Sequence, residues 1–270
     1  MPDLHLVVCI KVVPKPEEIQ VDRQTMTLTR DNVRSEINPP DMNALEAALR
    51  LKDKYGCRVD IISMGPPLFK QPLQACLAMG ADNIYLLSDR AFAGADTLAT
   101  TYTLSKGIQR IGEVDLVFCG EESSDGATGQ VPPGLAEWLG CQQISAANQI
   151  ELNLEINAVM AQREIKNGYE VLQTPLPAVL SLQTASNEPR FINYQIKDWA
   201  FDDQQFTVWD KADLEVDESL IGIPGSPTVV SGLEQADSRE RKNIFLEGST
   251  DEITNQLIEL IQSFHNRVPF

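Results

Sequence analysis

The chain has 270 residues, of which 43% are hydrophobic, enough for one large domain or for a domain with a long appendage. Its 22 basic and 39 acidic residues give a formal charge of −17. This balance excludes nonspecific binding to nucleic-acid backbones, which needs clustered basic groups. It is compatible with nucleotides, because helix N-termini and backbone N–H groups bind phosphates without charged side chains.

The five cysteines include no CxxC pair, so neither a disulfide framework nor a zinc site is expected. The N-terminal segment is too short and too soon charged for a secretion signal. No apolar run reaches the roughly 18 residues that would cross a bilayer. We therefore expect a cytoplasmic protein without membrane insertion.

The first half of the chain alternates compact apolar runs, which predict strands, with periodic apolar runs, which predict helices. The expected strands are Leu4–Ile10, Arg58–Met64, Asn83–Ser88 and Asp115–Cys119, and the expected helices are Asp41–Tyr55, Lys70–Met79, Thr97–Ile111 and Val131–Leu139. This order is typical of an α/β fold, a Rossmann-like parallel twisted sheet flanked by helices. Such sheets bind ligands at the carboxyl ends of their strands, here the loops at 10–16, 64–67, 88–97 and 120–130.

The second half has a different pattern. Gln149–Glu164 and Tyr169–Gln173 predict a hairpin around Lys166-Asn167-Gly168, with Asn-Gly as the turn. Leu176–Leu182 is expected to return to the main sheet. Apolar residues at helical spacing predict a final amphipathic helix over Asp251–Asn266.

Residues 186–229 are irregular, aromatic and acidic, and we expect them to form a long C-terminal arm that lies on a partner. The domain organisation then has three parts. A nucleotide-binding α/β domain covers 1–185 with its hairpin at about 149–173, a partner-binding loop and arm covers 186–229, and a C-terminal extension with the amphipathic helix covers 230–270.

The loop Cys119–Gly134, CGEESSDGATGQVPPG, follows an apolar strand and precedes a helix. Its glycines allow close backbone approach, so its N–H groups could point at a pyrophosphate. An ordinary capped β–α turn would show the same pattern, because the loop is neither a Walker loop nor GxGxxG. The local pattern leaves both interpretations open.

Three further helix or strand ends could line the same site, each with a structural explanation as well. In AGADTLATT, Asp96 or Thr97 is a natural helix N-cap. In INPPDMN, Asn38 is restricted by the following prolines. In SMGPP, Met64 could pack on a flat ring, although a core methionine is commoner. The chain contains no HExxH or GxSxG motif, so redox work would need a cofactor.

The combination of these motifs resembles the beta subunit of electron transfer flavoproteins over nearly the whole chain. The segments that carry the resemblance include Lys11-Val12-Val13-Pro14, Asn38-Pro39, Met64-Gly65-Pro66, Gly94-Ala95-Asp96-Thr97, Asp125-Gly126, Gln130-Val131, Asn187-Glu188-Pro189-Arg190 and Gly225-Ser226-Pro227-Thr228. Four positions depart from the family pattern, namely Glu121, Glu122, Ala127 and Pro132.

The resemblance implies an adenine nucleotide alpha hydrolase-like fold and a heterodimer with an alpha subunit that carries FAD. Ordinary members of the family hold AMP in the beta subunit, whereas a second class, found in electron-bifurcating systems, holds FAD there. The stretches MGPP, GADTxAT, DGxTxQV and GSPT look like the second class. For that class the resemblance implies electron transfer between NADH or NAD, ferredoxin or flavodoxin, and a dehydrogenase of the acyl-CoA or 2-hydroxy acid type, by bifurcation or confurcation.

Residue by residue, the resemblance implies these cofactor contacts: Cys9, Ile10, Lys11, Asn38, Asp41, Ser63, Met64, Gly65, Asp96, Thr97, Thr100, Gly120, Asp125, Gly126, Ala127, Thr128, Gly129, Gln130 and Val131. The implied partner contacts are Asn187, Glu188, Pro189, Arg190, Tyr194 and Trp199. Neither a catalytic residue nor a metal ligand is expected. A third alternative is a nucleotide-binding stress or regulatory protein with a similar sheet.

Overall fold

A computed structural model describes residues 4–15, 20–22, 27–29, 35–193, 203–229 and 244–265. The chain divides into two compact units, Met1–Leu233 and Glu234–Phe270. The helices are α1 (Pro39–Tyr55), α2 (Lys70–Met79), α3 (Thr97–Ile111), α4 (Val131–Leu139) and, in the second unit, α5 (Thr250–His265). The strands are β1 (His5–Cys9), β2 (Val12–Pro14), β3 (Gln20–Asp22), β4 (Thr27–Thr29), β5 (Ser35–Ile37), β6 (Arg58–Met64), β7 (Asn83–Leu87), β8 (Leu116–Gly120), β9 (Gln142–Asn153), β10 (Ala158–Ile165), β11 (Gly168–Pro175), β12 (Ala178–Leu182) and β13 (Phe206–Trp209).

The main sheet of the first unit has the strand order β11-β10-β9-β12-β8-β1-β6-β7-β13. From β9 to β13 every neighbouring pair is parallel, whereas β9, β10 and β11 form an antiparallel meander at one edge. The predicted α/β class is confirmed, with a sheet that is mixed rather than wholly parallel. Because the parallel strands share one direction, their carboxyl ends meet along one edge of the sheet.

Both faces of the sheet are covered by apolar layers. Leu6 and Val8 point into the layer shared with α1 and α2, whereas Val7 and Cys9 point into the layer shared with α3 and α4. This alternation follows from the two-residue period of a strand. Burial on both sides explains why the central strands are continuous apolar runs in the sequence.

The helices of the first half match the sequence pattern closely. The bounds predicted for α2, α3 and α4 are confirmed, and each of these helices ends at a glycine, namely Gly80, Gly112 or Gly140. Helix α1 begins two residues earlier than predicted, at Pro39, because proline fits the first helical position, where no intrahelical N–H bond is required. Among the described residues, no helix combines the length and apolar character needed to span a membrane.

The predicted hairpin of the second half differs from the structure in two places. Gln149–Glu164 is not one strand, because β9 starts earlier, at Gln142, and a turn at 154–157 separates it from β10. The turn between β10 and β11 is Lys166-Asn167, since Ile165 pairs with Gly168. Asn167-Gly168 as the central turn pair is therefore wrong, and Gly168 is the first residue of β11.

Part of the segment expected to be irregular belongs to the sheet. Strand β13 pairs in parallel with β7, and the Tyr85 ring stacks on Trp209 with centroids 4.6 Å apart. Leu214 and Ile221 are buried in the layer of α3 and α4. The strand is only four residues long, so its alternation was too short to indicate it. Contact of this segment with a partner stays a prediction.

Candidate functional site

The site begins with three strands that end side by side. Strand β1 pairs with β8 on one flank and with β6 on the other, so their carboxyl ends form a continuous edge. Helices α1, α3 and α4 start at this edge, as the hydrogen bonds described below show. We call residues 9–11, 38–41, 63–65, 96–100 and 120–131 the rim. These ranges cover the residues expected to contact the cofactor, and the contacts themselves stay a prediction.

Asn38 ties three segments of the rim together. Its side chain is fully buried, with Nδ2 donating to the Glu122 carbonyl at 2.9 Å and Oδ1 accepting from Ser124 N at 3.0 Å. Its own backbone N–H donates to the Lys11 carbonyl at 2.9 Å. Both ends of the amide are therefore engaged in holding the loop after β8, and contact of Asn38 with a cofactor stays a prediction.

Asp41 fastens the ends of two neighbouring strands. Its buried carboxylate accepts from Lys11 N at 2.7 Å and from Gly120 N at 3.1 Å. Burial raises the pKa of Asp41 to about 7, although these two N–H donors favour the ionised form. A Cβ at Gly120 would lie 2.5 Å from Asp41 Oδ1, so the close approach requires glycine. Asp41 thus holds two neighbouring segments of the rim together, and its direct contact with a ligand stays a prediction.

Lys11, the lysine of the rim, holds the loop after β8 through hydrogen bonds. Lys11 Nζ donates to Asp125 Oδ1 at 2.6 Å and to Ser123 Oγ at 3.3 Å. Partial burial opposes ionisation of Asp125, but the hydrogen bond and charge of Lys11 hold its pKa below the ordinary value. Ala127 and Gly129 adopt positive φ angles of 46° and 61°, which shape the loop into a tight turn. These bonds place the Lys11 ammonium beside the exposed backbone of the loop after β8.

The start of α3 is held by a loop from far along the chain. Asp96 is the N-cap that the sequence predicted, since Oδ1 accepts from Leu98 N at 3.0 Å and from Ala99 N at 3.2 Å. Its Oδ2 accepts from Thr228 Oγ1 at 2.7 Å, and its backbone N–H donates to Ser226 Oγ at 2.8 Å. Ser226 and Thr228 were missing from the expected site, although the GSPT motif was the signal that could have found them.

Thr97 links the starts of α3 and α4, which cover the face of the sheet opposite α1 and α2. Its Oγ1 donates to Gln130 Oε1 at 2.7 Å, which joins the first residue of α3 to the residue before α4. Thr100 follows one turn later in α3 and is half-buried. The expected group Thr97, Thr100 and Gln130 is therefore brought to the same side of the rim.

Ser63 provides a test of whether a ligand fits. It is 1% exposed at the end of β6, and its Oγ has no hydrogen-bond partner. Leaving a buried hydroxyl unpaired costs about 1–3 kcal/mol, so such a group is expected to have a use. Met64 and Gly65 follow it directly, and a polar atom of a ligand seated on the rim would complete the site. The exposed backbone of residues 124–128 beside the Lys11 ammonium is compatible with a phosphate-bearing cofactor, and the presence of FAD or AMP there stays a prediction.

Two of the departures from the family pattern do not obstruct the rim. The Glu121 carboxylate accepts from Thr184 N at 2.7 Å, beyond the end of β12, so it is engaged by the backbone. Glu122 is exposed, and its carbonyl is the acceptor for Asn38. Neither contact directs a carboxylate at Lys11, the rim cation.

The loop expected to meet a partner is fastened to α1. Asn43 Nδ2 donates to the Asn187 carbonyl at 2.7 Å, and Asn187 Nδ2 returns a bond to the Asn43 carbonyl at 2.9 Å. Arg190 Nε donates to Glu46 Oε2 at 2.8 Å. The anchoring residues leave Glu188, Pro189 and Phe191 exposed, and Phe191 is 95% exposed. Tyr194 and Trp199 lie outside the described residues.

Comparison with known proteins gives one consistent family. The model described as "Electron transfer flavoprotein domain" matches residues 25–204. The electron transfer flavoprotein subunit beta of Clostridium acetobutylicum is 43% identical over 227 residues, covering 84% of this chain and 86% of the relative. That of Thermoanaerobacterium thermosaccharolyticum is 39% identical over 262 residues, covering 97% and 99%. The caffeyl-CoA reductase-Etf complex subunit CarD of Acetobacterium woodii is 36% identical over 263 residues, again covering 97% and 99%. The chain therefore belongs to the electron transfer flavoprotein family, as one of its beta subunits.

Proposed function

We propose that this beta subunit binds FAD at the rim and passes electrons between NADH or NAD, ferredoxin or flavodoxin, and a partner dehydrogenase, by bifurcation or confurcation. The observation that carries the proposal is the set of hydrogen bonds that join the rim loops to one another, from Asn38 to residues 122–124, from Lys11 to Asp125 and from Thr97 to Gln130. A bound FAD would supply the one- and two-electron chemistry that the side chains of the rim lack. The ordinary alternative is an AMP-binding beta subunit that acts only as an electron carrier.

The residues of the rim have distinct roles in this proposal. Ser63 Oγ would bond a polar atom of the ligand, and Met64 would pack against its flat ring. The Lys11 ammonium would offset phosphate charge beside the loop 123–130, whose fold Asn38 maintains. Thr97 and Gln130, already bonded to each other, would close the opposite side. Asp41 keeps β1 and β8 at the spacing that these contacts require.

The alpha subunit is the first partner that we propose. Helix α5 presents Leu257 and Ile261 one turn apart, and they are 46% and 57% exposed. Apolar residues aligned on an exposed helix face mark protein–protein contacts. The dehydrogenase would be of the acyl-CoA or 2-hydroxy acid type. The name of CarD, which refers to a caffeyl-CoA reductase complex, favours the acyl-CoA type.

Cofactor counting tests the proposal. The chain is co-expressed with its alpha subunit, the purified heterodimer is extracted with acid, and FAD and AMP are quantified. We expect two FAD and no AMP per heterodimer. One FAD with one AMP would contradict FAD at the rim and establish the ordinary carrier. A stable homodimer without flavin would instead favour the regulatory alternative.

Lys11→Met should weaken nucleotide binding to the rim about tenfold, because it removes the cation that we assign to phosphate. The salt dependence of binding should become shallower as well. FAD or AMP affinity is measured by titration of the nucleotide-free chain at several salt concentrations. Lys106→Met on α3 is the matched control. In the natural chain the Lys106 ammonium lies over the Tyr102 ring, away from the rim. Equal affinities and salt dependences for the two variants would remove Lys11 from the site.

A further inference from the structure

Residues 210–228 follow β13 and end beside the start of α3, and we call them the strap. The strap is attached to the loop after β7, because Lys211 N donates to Asp89 Oδ2 at 3.2 Å. It is also attached to α3, because Asp217 N donates to the Tyr102 hydroxyl at 2.9 Å. The strap is therefore a fixed part of the first unit, although it is distant in sequence from the segments that it contacts.

Close packing holds the strap against the loop before α3. Ile221 is 2% exposed in the layer of α3 and α4. Gly94 has a φ of +74°, and a Cβ at this position would lie 2.8 Å from Ile223 Cγ1. Both the backbone conformation and the contact thus favour glycine at position 94. The strap and the loop before α3 fit each other without room for a side chain at this point.

The last residue of the strap fills the acceptor capacity of Asp96. Asp96 Oδ2 accepts from Thr228 Oγ1 at 2.7 Å and from Thr228 N at 3.1 Å. Its Oδ1 accepts from the first turn of α3 through Leu98 N and Ala99 N. A carboxylate offers about four acceptor positions, and these donors occupy all of them. The carboxylate therefore has no acceptor position left for a ligand, and it acts by holding α3 to the strap.

Ser226 and Pro227 complete this junction. Ser226 Oγ accepts from Asp96 N at 2.8 Å and donates to the Gly222 carbonyl at 2.6 Å. It thereby joins the backbone before α3 to a turn within the strap. Pro227 lies between Ser226 and Thr228, and its ring restricts φ. The two hydroxyls are thus held in place before a ligand binds, which lowers the entropic cost of binding.

The junction lies at one end of a series of hydrogen bonds across the rim. Thr97, the residue after Asp96, donates to Gln130 Oε1 at 2.7 Å. Gln130 ends the loop after β8, and Asp125 of the same loop accepts from Lys11 Nζ at 2.6 Å. The cation suited to a phosphate is therefore at the end of the series opposite the strap. A mononucleotide held by its phosphate depends on the Lys11 end, whereas a dinucleotide extends from there toward the start of α3.

We propose that Thr228 and Ser226 are positioning residues that make the rim favour FAD over AMP, and that they act through Asp96. They fix the start of α3, and with it Thr97, beside the flavin half of FAD. AMP lacks this half, so its binding does not depend on the strap. The inference rests on the proposed function, because it concerns FAD bound at the rim.

The test measures how tightly the rim binds each nucleotide. FAD and AMP are titrated into the heterodimer after the rim has been emptied by dialysis, with the FAD of the alpha subunit left in place. Thr228→Val removes the hydroxyl and keeps the backbone donor, so it should raise the Kd for FAD about tenfold and leave the Kd for AMP within about twofold. Thr228→Ser keeps the hydroxyl and should bind FAD as the natural chain does. Ser219→Ala is the matched control, because its hydroxyl lies in the strap but donates to Asp217 Oδ1 instead of Asp96.

Urea unfolding of each variant separates positioning from damage to the fold. If Thr228→Val does not fold, Ser226→Ala decides the question by the same criteria. Equal losses of FAD and AMP affinity, or no rescue by Thr228→Ser, would overturn the inference by showing that the strap serves the fold alone. Natural FAD affinity in a folded Thr228→Val heterodimer would overturn it while leaving FAD at the rim. A natural heterodimer that holds AMP in place of the rim FAD would overturn the proposed function and this inference together.

Discussion

Replacing Asp41 with asparagine is expected to remove a pH dependence of stability on the order of 4 kcal/mol between about pH 4 and pH 7. Burial raises the pKa of Asp41 from its ordinary value of 3.8 to about 7, so the folded chain binds this proton more tightly than the unfolded chain does. The stability that the group contributes is therefore fully present below about pH 4 and is lost as pH rises through 7. Asparagine does not titrate, and its variant lacks this slope.

Protonation of Asp41 should also change the affinity of the rim for a nucleotide. The ionised carboxylate accepts from Lys11 N and Gly120 N with separate oxygens, whereas a protonated oxygen presents a hydrogen to one of these donors. Nucleotide affinity of the natural chain should accordingly fall about tenfold per pH unit below 7. Asp41→Asn places an amide NH₂ against one of the same N–H groups, so its affinity should be weak and independent of pH.

Urea unfolding and nucleotide titration at matched pH values check both expectations. Glu155→Gln, an exposed carboxylate in the turn after β9, is the control for loss of one acidic group. Other carboxylates such as Asp60, whose pKa is lowered by His5 and Arg58 despite its burial, act in the opposite direction at lower pH. Because both chains retain them, they cancel in the difference. Parallel stability curves for the natural chain and Asp41→Asn would show that Asp41 does not titrate near neutrality.

The sequence predicted the central sheet because its physical signals are local. Strands buried on both faces must be apolar throughout, as in β1 and β8, and the helices that cover them end at glycines. Parallel strands then bring their carboxyl ends together by topology alone. The loops at 10–16 and 120–130 followed from these rules, whereas Lys11 and Asn38 were singled out as cofactor contacts by the family resemblance.

The remainder depends on contacts between distant residues, which no local pattern displays. Asp96 bonds with Thr228, 132 positions later, and Arg190 bonds with Glu46, 144 positions earlier. Strand β13 forms because its backbone pairs with the edge strand β7. Its own four residues carry little periodicity. The roles of Asn38 and Asp41 in holding the rim segments together were hidden for the same reason. Sequence motifs indicated candidate site residues, and only the fold shows which distant segments each of them bonds.

Glu46 is the buried anchor of the loop 187–191, and Glu46→Gln is expected to lower the free energy of unfolding at neutral pH by about 2 kcal/mol. Removing one partner of a buried ion pair costs about 3–5 kcal/mol, but Arg50 and Arg190 are partly exposed and regain water. Although burial opposes ionisation, the hydrogen bonds of Arg190 and Arg50 lower the pKa of Glu46. Its stabilisation is thus present above about pH 4.5 and is lost as pH falls below its folded pKa.

Among the functional properties of the heterodimer, Glu46→Gln should affect only electron transfer to the partner dehydrogenase. With the Glu46 carboxylate gone, the charged contact of Arg190 with α1 is reduced to its bond with Asp53. The loop that carries the exposed Phe191 is then held less firmly, so the rate of electron transfer from the heterodimer to its dehydrogenase should fall about tenfold. Nucleotide content should be unchanged, because no rim contact involves Glu46. Glu188→Gln, which neutralises an exposed carboxylate in the same loop, should alter neither stability nor nucleotide content. A destabilised Glu46→Gln heterodimer that still transfers electrons at the natural rate would show that the loop serves the fold alone, and loss of nucleotide would show that α1 transmits the damage to the rim.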